Sequence, residues 1–302
     1  MINKLKKRFP DAVIQSNPIR HSKMIWFYIS QNEQYIGIPI ADLTHSEIDL
    51  LKTLFPVYQE EITYNKSTQS KKWYDYIFSE SPSLPMDNIH KEFRLIQFSI
   101  SENKEAFDVE SLQDVLKTIF PHEVVIVFSS ENAGVIIEEK QEYLLTSQEL
   151  QTSINALESD FYFKIHFYIG QFNELDKGLK AHFKLEQDLF LFAQKEMSKE
   201  RIFSLNNVFP LYILKNIPYE IRSSFFNHIY HIFKEDRELR RTIKLYLENH
   251  SNASLTAKQL FLHRNSLQYR IDKFTDKTGF DLKSFPHAVI VYLACLDYEY
   301  DL

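Results

Sequence analysis

Asn252-Ala-Ser-Leu-Thr-Ala-Lys-Gln-Leu-Phe-Leu-His-Arg-Asn-Ser-Leu-Gln-Tyr-Arg-Ile271, followed by Thr278-Gly-Phe-Asp-Leu282, decides the architecture of this chain. Just upstream, Leu239, Ile243 and Tyr246/Leu247 fall at helical spacing over residues 237–248, and the turn-forming run 249–252 stops that helix. A second helix is predicted from Ser254, whose hydroxyl can cap it, with Ala257 small enough for close packing and Leu260 as its apolar contact. Leu262 then turns the chain onto the core, and a third helix begins within His263-Arg-Asn-Ser266. Leu267, Ile271, Phe274 and Thr278, spaced four, three and four, form its buried stripe and leave the opposite side to solvent. Gly279-Phe280 has the form of a Schellman stop.

Two short helices joined by a turn, the second presenting polar residues from its first turns, match a major groove about 12 Å wide. Arg264 can bond a guanine edge or a phosphate, Asn265 and Ser266 sit at the positive helix N-terminus, and Gln268, Tyr269 and Lys273 continue that face. Asp272 and Asp276 lie further along and would be repelled by phosphates, which confines base reading to the first two turns. The competing account is a solvated helix in a bundle.

A net charge of −6 argues at first against nucleic acid, but its distribution does not. Residues 236–285 hold ten Lys or Arg against six Asp or Glu, a net +4, leaving the remainder at −10. One basic module on an acidic body suits a protein in which a single domain approaches DNA. With 302 residues, 44% of them apolar, the chain can build two or three domains. A lone Cys295 and the absence of an apolar leader in residues 1–10 point to the reducing cytoplasm, and no apolar run nears the roughly 20 residues that span a bilayer. Only five glycines occur, in neither GxxxxGK[ST] nor GxGxxG, so a nucleotide-hydrolysing enzyme is not expected.

Upstream, strand-like runs at 24–29 and 34–40 and a helix opened by the capping box Thr44-His-Ser-Glu47, with Ile48, Leu51 and Leu54/Phe55 apolar, predict a small α+β module. A short aromatic helix at 73–78 follows, and Ser81-Pro-Ser-Leu-Pro85 breaks the chain. Strand 94–100, helix 109–120, strands 124–128 and 134–138, helix 147–157 and strand 164–169 then give the order βαββαβ. This predicts a sheet covered on one side by two helices, an order shared by ferredoxin-like and nucleotide-cyclase folds. A long amphipathic helix over 174–197 and shorter ones near 207–215 and 218–234 lead to the terminal module.

The run Asn252–Ile271 with Thr278–Leu282 resembles the C-terminal helix-turn-helix of PucR/CdaR-type regulators, whose pattern N-x-S-x-T-A-x-x-L…H-R-N-T-x-x-Y-R it follows with Ser266 in place of the threonine. The resemblance implies DNA binding through His263, Arg264, Asn265, Ser266, Gln268, Tyr269 and Arg270. More weakly, the βαββαβ segment and Phe167-Tyr-Ile-Gly-Gln-Phe172 are similar to that family's GGDEF-like middle domain. The catalytic signature Gly-Gly-(Asp/Glu)-Glu-Phe is replaced by Ser129-Ser-Glu-Asn-Ala-Gly134, so a non-catalytic domain is expected.

His228 and His231 lie three apart without a third ligand at convincing spacing, so no metal is expected; His166 and Cys295 fit core positions better than catalytic ones. The expectation is therefore an α+β multidomain regulator: a module at 1–80 with a possible sensing role, a GGDEF-like domain at 86–172, a helical connector at 173–234 and a DNA-binding domain at 235–302. No catalytic residue or cofactor is assigned. Its partners would be double-stranded DNA, a second copy of itself and an unidentified small-molecule or protein effector, with no membrane. The rival readings are an active nucleotide cyclase or phosphotransferase, and an adaptor that grips a protein with the same helix-turn-helix.

Overall fold

The structure, a computed structural model, describes residues 2–15, 24–30, 34–56, 65, 67–79, 83–86, 91–101 and 109–301. Its contacts divide the chain into two compact units, residues 1–63 and 64–302. Among the described residues no helix is long and apolar enough to cross a membrane.

In the first unit, helix α1 (Ile2–Arg8) precedes strands β1 (Val13–Gln15), β2 (Met24–Ile29) and β3 (Gln34–Pro39), then helix α2 (His45–Leu54). The antiparallel sheet has β3 in the centre, and Phe27, Ile29, Ile36 and Ile38 pack with Ile2, Phe9 and Leu51. The predicted capping box is present: the Thr44 hydroxyl accepts from the Glu47 N–H, and the Glu47 carboxylate accepts from the Thr44 N–H at 3.0 Å. Arg8 adds an ion pair to Glu47 at 2.8 Å. Of the apolar pair expected to close this helix, Phe55 packs on the core whereas Leu54 is exposed.

The second unit opens with α3 (Thr68–Phe78), followed by β4 (Glu92–Ser101), α4 (Val109–Ile119), β5 (Val125–Ser130), β6 (Ala133–Glu139), α5 (Ser147–Phe161), β7 (Lys164–Ile169), β8 (Asn173–Glu174), α6 (Lys177–Glu196) and β9 (Ile202–Ser204). These give the predicted βαββαβ succession. The strand order is β5-β6-β4-β7-β9, antiparallel except for the parallel pair β7 and β9, with β8 also paired to β4.

Cover on one side only, as expected from sequence, is not what forms. Phe93, Leu95, Val127, Val135 and Ile137, on one face by strand alternation, pack against Trp73, Tyr76 and Ile77 of α3 and Leu179 and Phe183 of α6. The alternate residues Ile96, Phe98, Ile126, Ile136, Ile165 and Phe167 are buried as well, and α5 packs on β7. The aromatic helix that sequence attached to the N-terminal module is thus a layer of the second unit. Asn65 belongs there too: its side-chain amide exchanges two hydrogen bonds, at 3.0 and 3.1 Å, with the backbone of Phe128 on edge strand β5. That pairing mimics a neighbouring strand and blunts the edge. Ser81 and Pro82 of the predicted chain break lie outside the described residues.

All-helical structure follows: α7 (Leu205–Lys215), α8 (Tyr219–Glu235), α9 (Arg237–Glu248), α10 (Ala253–Gln259), α11 (Arg264–Thr278) and α12 (Phe285–Asp301). Their shared core includes Phe233, Leu239, Ile243, Tyr246, Ala257, Leu267, Ile271, Phe274, Leu282, Val291, Ala294 and Cys295. Cys295 is fully buried and burial pushes its thiol far up, so it packs rather than reacts. His166 is buried against the Phe203 ring, 6.1 Å away and nearly parallel to it, with Nε2 3.2 Å from Arg201.

Candidate nucleic-acid interface

The chain enters the terminal module through a tight reversal. Helix α9 ends in a Schellman motif in which the Ser251 N–H donates to the Tyr246 carbonyl at 2.9 Å and the His250 N–H to that of Leu247 at 3.0 Å. His250 and Ser251 both hold positive φ, 54° and 59°. This reversal leaves Asn252 as the last non-helical residue, and its Oδ1 accepts the Leu255 N–H at 3.0 Å. The cap of α10 is therefore Asn252, and the expected cap Ser254 lies inside the first turn. Asn249 ties the two helices together, donating to Thr256 Oγ1 at 3.1 Å and Gln259 Oε1 at 2.6 Å.

Between α10 and α11 a second Schellman motif forms. The Leu262 N–H donates to the Ala257 carbonyl at 2.8 Å and the Phe261 N–H to the Lys258 carbonyl at 3.3 Å. The Schellman stop expected at Gly279 is instead the simpler left-handed cap. Gly279, at φ 75°, donates to the Thr275 carbonyl at 2.7 Å, while the Phe280 N–H turns to Thr278 Oγ1 rather than to a main-chain carbonyl.

Helix α11 buries Leu267, Ile271 and Phe274, as the spacing predicted, with Phe274 stacked on Phe233 of α8 at 6.0 Å; Thr278 is half-buried. His263 caps the helix, its Nδ1 accepting the Asn265 N–H at 3.2 Å. His263, Arg264, Asn265, Ser266, Tyr269 and Lys273 are exposed, whereas Gln268 and Arg270 are half-buried. Gln268 and Arg270 mark the two edges of the exposed side. Gln268 donates to Asp272 at 2.7 Å on one flank, and Arg270 reaches Thr242 of α9 at 3.3 Å on the other.

Along that second flank runs a groove of about 680 Å³ that sequence gave no sign of. Asn265, Ser266, Tyr269, Arg270 and Lys273 line one wall, and Glu235, Asp236 and Leu239 at the α8–α9 junction line the other. Lys277 bridges it to Glu235 at 3.0 Å. Its walls come from segments some thirty residues apart, so local periodicity could not reveal it. His228, considered above as half of a metal pair, donates from Nε2 to the Lys277 carbonyl at 2.8 Å and so steadies the end of α11.

The geometry defines a helix-turn-helix: α10 packed on α11 across a four-residue turn, with the first turn of α11 exposed. Residues 239–296 match the PucR C-terminal helix-turn-helix domain. The chain is 35% identical to the uncharacterized protein YxkF of Bacillus subtilis over 292 residues, spanning 96% of this chain and 97% of that one. It is 24% identical to the proline-responsive transcriptional activator PutR of the same organism, across 86% of this chain and 71% of that protein. It is also 38% identical to the carbohydrate diacid regulator of Escherichia coli over 56 residues, 18% of this chain and 14% of that regulator. The chain therefore carries a PucR-type helix-turn-helix domain at residues 239–296, and along nearly its whole length it belongs with YxkF.

Proposed function

We propose that this regulator is a homodimer that inserts one α11 per subunit into successive major-groove half-sites about one DNA turn apart. Arg264 reads a base edge or clamps a phosphate, with Asn265 and Ser266 meeting phosphates at the helix N-terminus. Gln268, Tyr269 and Lys273 extend the contact, while His263 and Arg270 hold the helix at its cap and flank. The observation that carries this assignment is the exposed first turn of α11 on a helix whose opposite side is locked into the core.

The four-part division, with sensing at 1–80, a GGDEF-like non-catalytic domain at 86–172 and a connector at 173–234, completes the proposal. The hairpin residues Glu131 and Asn132 are exposed, and Gly134 is there for packing, since a Cβ would come within 2.6 Å of the Phe98 ring. Exposed Leu185 and Leu191 on α6, and Phe285 and Val289 on α12, favour a second copy as partner. An effector bound upstream would set the spacing of the two heads in the cytoplasm.

The test is duplex binding by the full chain against salt, on sequences it selects from a randomised pool. Affinity should fall steeply and linearly in log–log form as counterion release weakens. Salt-independent or absent binding would instead favour the protein-gripping adaptor. Light scattering that gives a monomer at micromolar concentration, with and without DNA, would remove the dimer.

A further inference from the structure

Phe261 is the most exposed large apolar side chain among the described residues, at 96%, and it is held at φ 54°. A bulky residue at positive φ is a steric outlier, and the left-handed position of a Schellman motif is the one where glycine is favoured. The motif itself does not need the ring. Its hydrogen bonds are main-chain, and its hydrophobic contact is assigned by geometry to the next residue, Leu262, against Ala257. The fold thus carries, in the turn that launches α11, a strained residue whose side chain gives nothing to packing. Such strain concentrates at functional positions.

The surroundings say what the ring meets. From Asn249 to Ile271 the sequence has no Asp or Glu, while it holds Lys258, Arg264 and Arg270. Lys258, His263 and Arg264, within three residues of Phe261, are all exposed. An exposed aromatic ring inside an acid-free, cationic stretch, contiguous with the reading helix, is complementary to a polyanion that also presents apolar edges. Duplex DNA offers these as thymine methyl groups and deoxyribose.

We infer that Phe261 is a DNA-contacting residue that packs against the apolar edge of the duplex beside the Arg264 contact. The inference rests on the DNA-binding reading above and adds an apolar contact from the turn to the polar ones of α11.

Full-length wild type and F261G are compared on a duplex that wild type enriches from a randomised 30-base-pair pool, alongside thermal unfolding without DNA. Glycine relieves the left-handed strain, so Tm should rise by roughly 2 to 4 °C while DNA affinity falls by about fivefold or more. A structural role for the ring predicts the opposite sign in Tm and would overturn the inference. Unchanged affinity in F261G, with wild type bound, also overturns it and turns the ring toward a protein partner. If wild type enriches no sequence and R264A is indistinguishable from it, the DNA-binding reading falls and this inference with it. Replacing thymine by uracil in the duplex separates the two apolar sources. A loss seen with wild type but not with F261G assigns the methyl group, and no loss assigns deoxyribose.

Discussion

Arg222 of α8 and Asp297 of α12 form an ion pair inside the helical unit, with both side chains almost wholly buried and the Tyr230 hydroxyl donating to the second carboxylate oxygen. Arg222 also donates through Nε to the Ile217 carbonyl at 3.0 Å. Each charge has hydrogen-bonding partners, the condition under which an ion pair repays its desolvation. The pair fixes α12 across α8, and α12 supplies the Val291, Ala294 and Cys295 floor beneath the helix-turn-helix.

Removing one partner strands the other in a low dielectric. D297A should therefore lose about 3 to 5 kcal/mol of stability, read as a fall in the urea midpoint, and R222M/D297L should recover much of it. A loss below about 1 kcal/mol in D297A would show that water reaches the pair.

Glu186 of α6 sets a pH dependence in the second unit. Its Oε1 accepts the Gln171 N–H at 2.8 Å, and a side chain at Gly170 would come within 2.5 Å of Oε2. Burial raises its pKa to about 7 from the usual 4.5, outweighing that hydrogen bond. The folded state holds the proton more tightly than the unfolded one, so stability is greatest below about pH 4.5 from this group and falls as pH rises toward 7. E186Q keeps the acceptor without the charge. Its stability relative to wild type should improve by up to about 3 kcal/mol between pH 5 and pH 8. Parallel denaturation midpoints across that range would contradict this.

The cap of α10 can be assigned by paired substitutions. N252A should cost about 1 kcal/mol by losing the bond to Leu255, whereas S254A, inside the first turn and exposed, should be nearly neutral. Differential scanning calorimetry on the two variants separates them. Equal losses would place the helix start later than Ala253.

On DNA, R264A and K273A should differ in kind. Arg264 at a base edge predicts a loss of about 1 to 3 kcal/mol that depends on sequence, and Lys273 at a phosphate predicts a uniform loss with the salt slope reduced by about one. Anisotropy titrations on selected and scrambled duplexes at several salt concentrations read both. Identical profiles for the two variants would merge them into a single backbone role.

How much was legible in the sequence depended on whether the signal was local. Leu267, Ile271 and Phe274 announced the buried side of α11 because side-chain spacing along a helix is a property of the segment itself. The same holds for β2 and β7, found at the predicted bounds 24–29 and 164–169, and for the Thr44–Glu47 cap, whose partners are three residues apart. Strand β9, only Ile202–Ser204, is too short to show alternation and exists because β7 offers it an edge.

The tertiary structure alone decided the rest. Residues 73–78 read as a short aromatic helix, which the structure begins earlier, at Thr68; only the packing of Trp73 and Tyr76 onto Phe93 and Leu179 makes it a second cover for the sheet. Nothing in the composition of the turn marks Phe261 for a left-handed conformation that glycine would adopt more cheaply. It is set by the closure of α10 onto α11, through Leu262 bonding back to Ala257. By itself the sequence determined that this chain ends in a helix-turn-helix, because helical periodicity and the H-R-N-S stretch are written in consecutive residues. That an aromatic ring stands outward beside the reading helix was decided by the backbone geometry of the turn, which side-chain spacing does not encode.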